Sequence, residues 1–307
     1  MNVSTPCTNV SSIDETTFDW KFSFATLDRW RRFVHNIAVL ANYNRTVCME
    51  LGIHHLLLAT HIPDPFCAIN YKYKTQIDDL FYSRKKKVSK MKLDIIVLIE
   101  LVNAIMDTQG VTHMYLIGIQ NECYISYIVN RGRSSKRVFL EPITTIKSSQ
   151  NKSSAYYNLH TDMLYKKDIN LCTMSLNTSE FNRIINTLTI MGGNGRGYFD
   201  IVVSKTKDKN ITNVCFENRA NNGALSRIRI GAHSLSDQNT LLKKPMYDMK
   251  LSVLTSYFKR CQVSDNFDTT LFIWSDGILV NFEGYTQQHT ITVFVPNIDP
   301  TVLYSYQ

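Results

Sequence analysis

Two stretches far apart in this chain open in the same way, with an alternating strand that runs straight into an amphipathic helix. In the first, Phe18, Trp20, Phe22 and Phe24 alternate with Asp19, Lys21 and Ser23, the period of a strand with one buried face. Thr26 then offers a side-chain cap for a helix to Ala41. Along it Leu27, Trp30, Val34, Ile37 and Ala41 recur at three- and four-residue spacing, while Arg29, Arg32 and Asn36 fall on the other side. In the second, a strand over Asn170–Leu176 precedes a helix over Thr178–Thr189 with Phe181, Ile184, Ile185 and Leu188 on one face.

The elements after each opening also repeat. After the first come strands at Thr46–Leu51, His54–Thr60 and Phe66–Tyr73, a short polar helix around Gln76–Tyr82, and a strand at Lys90–Asp94. A helix over Ile96–Met106 leads to strands at Met114–Gln120, Cys123–Asn130 and Arg137–Glu141. After the second come strands at Tyr198–Ser204, Asn213–Glu217, Ser226–Ile230 and Met249–Leu251. A helix near Ser252–Gln262 then leads to strands at Thr269–Trp274, Leu279–Phe282 and Thr290–Val295. The chain thus predicts an α+β protein of two like domains, each with two helices packed on antiparallel sheets. The expected organisation is a flexible arm over 1–17, domains over 18–141 and 170–299, a polar connector over 142–169, and a tail over 300–307. A length of 307 residues gives each domain room for its own core.

Several classes of function find no support in the residues. The seven cysteines (Cys7, Cys48, Cys67, Cys123, Cys172, Cys215 and Cys261) are scattered, and none forms a C-x-x-C pair. That pattern predicts free thiols in a reducing compartment and neither a zinc site nor a redox dithiol. Gly192–Gly197 is glycine-rich but lacks the G-K-[ST] ending of a phosphate loop and follows a helix. His54 and His55 are read as lying in a strand without a carboxylate partner, so no metal site is expected there, and Asp78 and Asp79 are expected on a solvent-facing turn of helix. The longest apolar run, Leu93 to Met106, carries Asp94, Glu100 and Asn103, too short and too polar to span a membrane. No secretory leader is apparent at the start, so a soluble intracellular protein is expected, with no cofactor, no metal and no catalytic residues. The formal charge of +8 favours a polyanionic partner.

The motifs narrow this reading. Met174-Ser175-Leu176-Asn177-Thr178-Ser179-Glu180-Phe181-Asn182-Arg183-Ile184 resembles the strand, polar turn and E-F-x-R-I helix start of the DNA sliding-clamp family. Met249-Lys250-Leu251 through Tyr257-Phe258-Lys259-Arg260 looks like the strand and final helix of that family. Val263-Ser264-Asp265 is similar to its P-L-S-D turn, and Val293-Phe294-Val295-Pro296-Asn297-Ile298 to its terminal strand. The first half fits by order of elements rather than by identities.

The resemblance implies a polymerase processivity factor: helices lining a channel around double-stranded DNA, six domains closing a ring, and therefore three copies of a two-domain chain. It implies channel-facing cations at Arg29, Arg31, Arg32 and His35 on the first helix, and at Arg84, Lys85, Lys86, Lys87, Lys90 and Lys92 beyond it. Arg183, Lys259 and Arg260 are the corresponding cations of the second half. Such residues attract phosphates without reading bases, which suits sliding on any sequence. The helix at Ile96–Met106 departs from the pattern, since it has Glu100 and no lysine or arginine. The resemblance implies further a groove for polymerase peptides and other clamp-binding proteins, built from Val293, Phe294, Val295 and Pro296 with Ile143, Ile146, Tyr156 and Tyr157 as walls. Self-association through open strand edges is expected, with Tyr115–Gln120 as one candidate edge. The same resemblance also covers a subunit of a heterotrimeric checkpoint clamp and a virus-encoded factor acting as monomer or dimer. The expected location is the nucleus or a viral replication site.

Overall fold

A computed structural model describes residues 18–62, 67–84, 89–120, 122–131, 135–143, 170–191, 197–205, 211–219, 225–233, 249–263, 267–274 and 277–298. The expected arm, the tail, most of the connector and the glycine-rich run at 192–196 lie outside these residues. The chain divides into two compact units, Met1–Thr60 with Tyr71–Ser153, and His61–Asn70 with Ser154–Gln307.

The first unit opens with β1 (Trp20–Ser23) and α1 (Leu27–Ala41), followed by β2 (Thr46–Leu51), β3 (His55–Ile62), β4 (Cys67–Lys74), β5 (Leu80–Ser83) and β6 (Ser89–Asp94). It continues through α2 (Ile95–Met106), β7 (Val111–Ile119), β8 (Glu122–Arg131) and β9 (Ser135–Ile143). One antiparallel sheet runs β5-β1-β7-β8-β9, and β4-β3-β2-β6 form a second set of neighbours. The Thr26 hydroxyl caps α1 by accepting from the Arg29 N–H, and Asp94 caps α2 by accepting from Ile96 and Val97, so both orphan helix starts are satisfied. The apolar stripe of α1 puts Trp30, Phe33, Val34, Ile37 and Leu40 into the core. There Phe24 meets Trp30, Phe33 and Tyr73 at ring-centroid distances of 4.8, 5.0 and 4.9 Å, within the range of favourable aromatic pairs.

The second unit repeats the order. It has β10 (Asn170–Asn177), α3 (Thr178–Met191), β11 (Tyr198–Lys205), β12 (Ile211–Arg219), β13 (Leu225–His233) and β14 (Met249–Leu254). It ends with α4 (Thr255–Lys259), β15 (Phe267–Trp274), β16 (Gly277–Gly284) and β17 (His289–Pro296). Its antiparallel orders β10-β15-β16-β17 and β13-β12-β11-β14 reproduce β1-β7-β8-β9 and β4-β3-β2-β6. Phe258 of α4 lies 5.3 Å from Phe181 and 5.1 Å from Phe199, so this core too is aromatic and sits under the helices.

Three expectations are corrected. The short helix around Gln76–Tyr82 is a turn followed by β5, because Asp79 is drawn inward. It accepts from the backbone N–H of Gln76 and Ala25, from Arg29 and from the Tyr73 hydroxyl. Asp79 is therefore not on a solvent-facing helix. Its side chain has no exposure, and Leu80–Ser83 pairs with β1 instead. The last helix begins three residues late and is short, because Met249–Leu254 is held as a strand against β11 with Leu251 opposite Ile201. The Tyr115–Gln120 region is no edge, since β7 is paired on one side with β1 and on the other with β8.

Candidate nucleic-acid interface

On α1 the residues left outside the core form one stripe. Asp28, Arg31, Arg32, His35 and Ala38 are all exposed, at the spacings that align side chains on one helical face. Arg31 reaches Asp28 at 2.9 Å. Both are well exposed, so this pair holds Arg31 only weakly. Arg32 and His35 make no hydrogen bond or ion pair among the described residues. Arg31, Arg32 and His35 thus form a solvated strip that carries two guanidiniums and an imidazole beside Asp28.

Arg29 is placed differently. Its guanidinium lies 3.1 Å from Asp79 and is 28% exposed. Burial, followed by the Asp79 carboxylate, pushes the Tyr73 phenol above its ordinary value, so Tyr73 remains a donor to that carboxylate. Arg29 is one of the groups that neutralise a buried anion, and it is less exposed than Arg31.

The later cations of the first unit split. Arg84 is exposed in the turn after β5, while Lys85, Lys86 and Lys87 lie outside the described residues. Lys90 sits on β6 opposite Glu50 of β2 and bonds it at 3.0 Å. Strand alternation puts this pair on the sheet face turned away from the core, since the intervening Leu93, Val47 and Met49 are buried. Lys90 is therefore not part of a helical strip. The α2 surface shows Glu100, Asn103 and Ala104 to solvent and no cation.

In the second unit the corresponding α3 stripe is Ser179, Arg183, Asn186 and Ile190, all exposed. The end of α4 packs beside it: Gln262 Nε2 donates to Asn186 at 2.8 Å, and Asn182 donates to the Val263 carbonyl at 3.1 Å. Lys259 is exposed at that end, and Arg260 is half-buried over the Tyr257 ring at 5.5 Å. Arg183 and Lys259 are thus brought to adjoining helices, by a helix turn and a helix end respectively.

The expected groove is also divided by the pleat. Val293 and Val295 have no exposure and lie on one face of β17. Phe294 and Pro296 face the other way. Phe294 packs there with Trp274, at 6.4 Å between rings, and with Leu279 and Phe272. The register Phe272↔Leu279↔Phe294 across β15, β16 and β17 makes this cluster. Sequence reading missed its other members, although alternation along each strand would have found them. Ile143 is buried at the end of β9, and Ile146, Tyr156 and Tyr157 lie outside the described residues.

No helix among the described residues is long and apolar enough to cross a membrane. No protein-family model matches the chain, and no curated protein matches it in sequence. Solved structures do match. The proliferating cell nuclear antigen of Entamoeba histolytica superposes with a TM-score of 0.57 at 10% identity, covering 92% of this chain and 100% of that one. That of Thermococcus kodakaraensis gives 0.60 at 8% identity, covering 91% and 100%. Residue identity at this level carries no functional assignment, but the coverage is nearly complete on both sides. The chain has the two-domain sliding-clamp fold of proliferating cell nuclear antigen.

Proposed function

We propose that this protein is a DNA sliding clamp that holds a polymerase on duplex DNA through sequence-independent contacts and has no catalytic role of its own. The observation that carries this reading is the strip Arg31, Arg32 and His35, solvated on the opening helix of a clamp fold. Arg183 and Lys259 extend the cationic set in the second unit. Mobile cations over phosphates give attraction without base preference. In this reading the clamp domains span 18–141 and 170–299, residues 142–169 connect them, and Phe294 and Pro296 contribute to the groove for polymerase peptides. Copies associate through β9 and β13, each of which has one unpaired flank among the described residues. Pro142 on β9 suits a strand at an edge. The nucleus, or a viral replication site, is the location this role requires.

The test is a duplex carrying biotin at both ends. A threaded ring survives a high-salt wash when streptavidin is added after the protein, and fails to load when streptavidin is added first. Loss of retention in both orders overturns encirclement. Native mass measurement on the same sample separates a homotrimer from a monomeric or dimeric factor, and from a checkpoint-type subunit that needs two different partners.

A further inference from the structure

The first unit carries a second cationic surface, on the sheet face opposite its core. On β4, Lys72 and Lys74 are exposed and alternate with the buried Tyr71 and Tyr73. On β6, the exposed Lys90 and the half-buried Lys92 alternate with Met91 and the buried Leu93. Two strands separate the rows, so the lysines flank a face roughly 14 Å across. Between the rows lie Cys48, Leu57 and Ala59 and, among the described residues, one carboxylate, Glu50, which serves both Lys90 and His55. Asp94, at the end of β6, is turned into the α2 cap and bonds Arg45.

The equivalent sheet of the second unit shows what a merely solvated face looks like. There Lys250 bonds Asp200 at 2.7 Å and Arg227 bonds Glu217 at 2.7 Å, so each carboxylate has its own cation. Among the described residues the two faces thus differ: the second unit's carries Lys250, Arg227 and Arg229 with two carboxylates, and the first unit's carries Lys72, Lys74, Lys90 and Lys92 with the carboxylate of Glu50.

We infer that this lysine-rich face of β4 and β6 binds the backbone of single-stranded nucleic acid. The inference rests on the sliding-clamp function proposed for the chain, in which duplex occupies the helical strip. Duplex DNA stays straight over about 150 base pairs, so duplex held at the helices does not fold round to the opposite side of the same unit. A strand released from the duplex is flexible enough to reach it. The recognising groups are lysine point charges, which fit phosphates and predict binding without base preference.

The full chain is titrated by fluorescence anisotropy against a labelled oligothymidylate and a labelled blunt duplex, each over a salt series. K72E/K74E is expected to weaken oligothymidylate binding at least about tenfold and to flatten its salt slope by about 1.4, two contacts at about 0.7 each. Duplex binding is expected to stay unchanged. R31E/R32E is expected to do the reverse, so failure of the duplex reading and failure of this one are separately visible. The milder K72Q/K74Q, checked to melt with the wild type, must show the same selectivity to a smaller degree. Unchanged oligothymidylate binding in K72E/K74E overturns the inference, as does an equal loss on both probes. Displacement by polyglutamate but not by unlabelled oligothymidylate overturns it too, and assigns the face to an acidic protein segment.

Discussion

The Arg29 guanidinium lies 3.1 Å from the Asp79 carboxylate, a side chain with no solvent exposure. Fifty positions separate the two in sequence, so the pair ties the start of α1 to the turn before β5. Removing the cation leaves a buried anion with only the Tyr73 hydroxyl and two backbone N–H donors. R29A should therefore lower the unfolding free energy by about 3 kcal/mol, the scale of a broken buried pair. Urea denaturation measures this, and a double-mutant cycle with D79N isolates the pairwise part.

Arg31 and Arg32 should behave in the opposite way. Both are exposed, so R31A/R32A should change stability by no more than about 0.5 kcal/mol per site. In duplex binding the same variant should flatten log K against log salt by about 1.8, from two contacts at about 0.9 each. Anisotropy across a salt series reads the slope. An unchanged slope would remove the strip from the interface.

Gly118 faces Trp20 across the β1–β7 pair. A methyl group built there would lie 2.0 Å from the indole nitrogen and 2.2 Å from a ring carbon. Trp20 is buried, so the ring has nowhere cheap to go. G118A should cost about 1–3 kcal/mol through overpacking, and W20F/G118A should recover part of it. Thermal melts of the three variants check both statements.

Burial pushes the Cys67 and Cys123 thiols well above their ordinary value. Thiolate is the reactive form, so both should resist iodoacetamide in the native protein and label fully in denaturant, as peptide mass mapping would show. The folded state here holds its protons more tightly than the unfolded one. The resulting stability is complete below about pH 9, where unfolded thiols are still protonated, and is lost progressively as pH rises beyond it.

Much of this fold is legible in the sequence, for local reasons. The start of α1 follows from Thr26 as cap and from the spacing of Trp30, Phe33, Val34 and Ile37. The features that escape a local reading are set by distant partners. Gln76–Tyr82 has the polarity of a short helix, but Asp79 answers to Arg29 and Ala25, which no local pattern reveals. Val253 and Leu254 suit strand or helix equally, and pairing with β11 decides for strand. Lys90 lies in a run of cations that reads as one patch, yet a strand splits neighbours between two faces. The same rule, applied to Val293–Pro296, divides the groove residues by alternation alone.

The four residues of β5 lie along β1 and close off that flank of their sheet, leaving β9 at its other margin. The second unit has no such cover beside β10 among its described residues. A newcomer strand can extend the first unit's long sheet at β9, whereas β1 is shielded. In the association proposed through β9 and β13, the two margins belong to different sheets, so an assembly built that way would have a polarity.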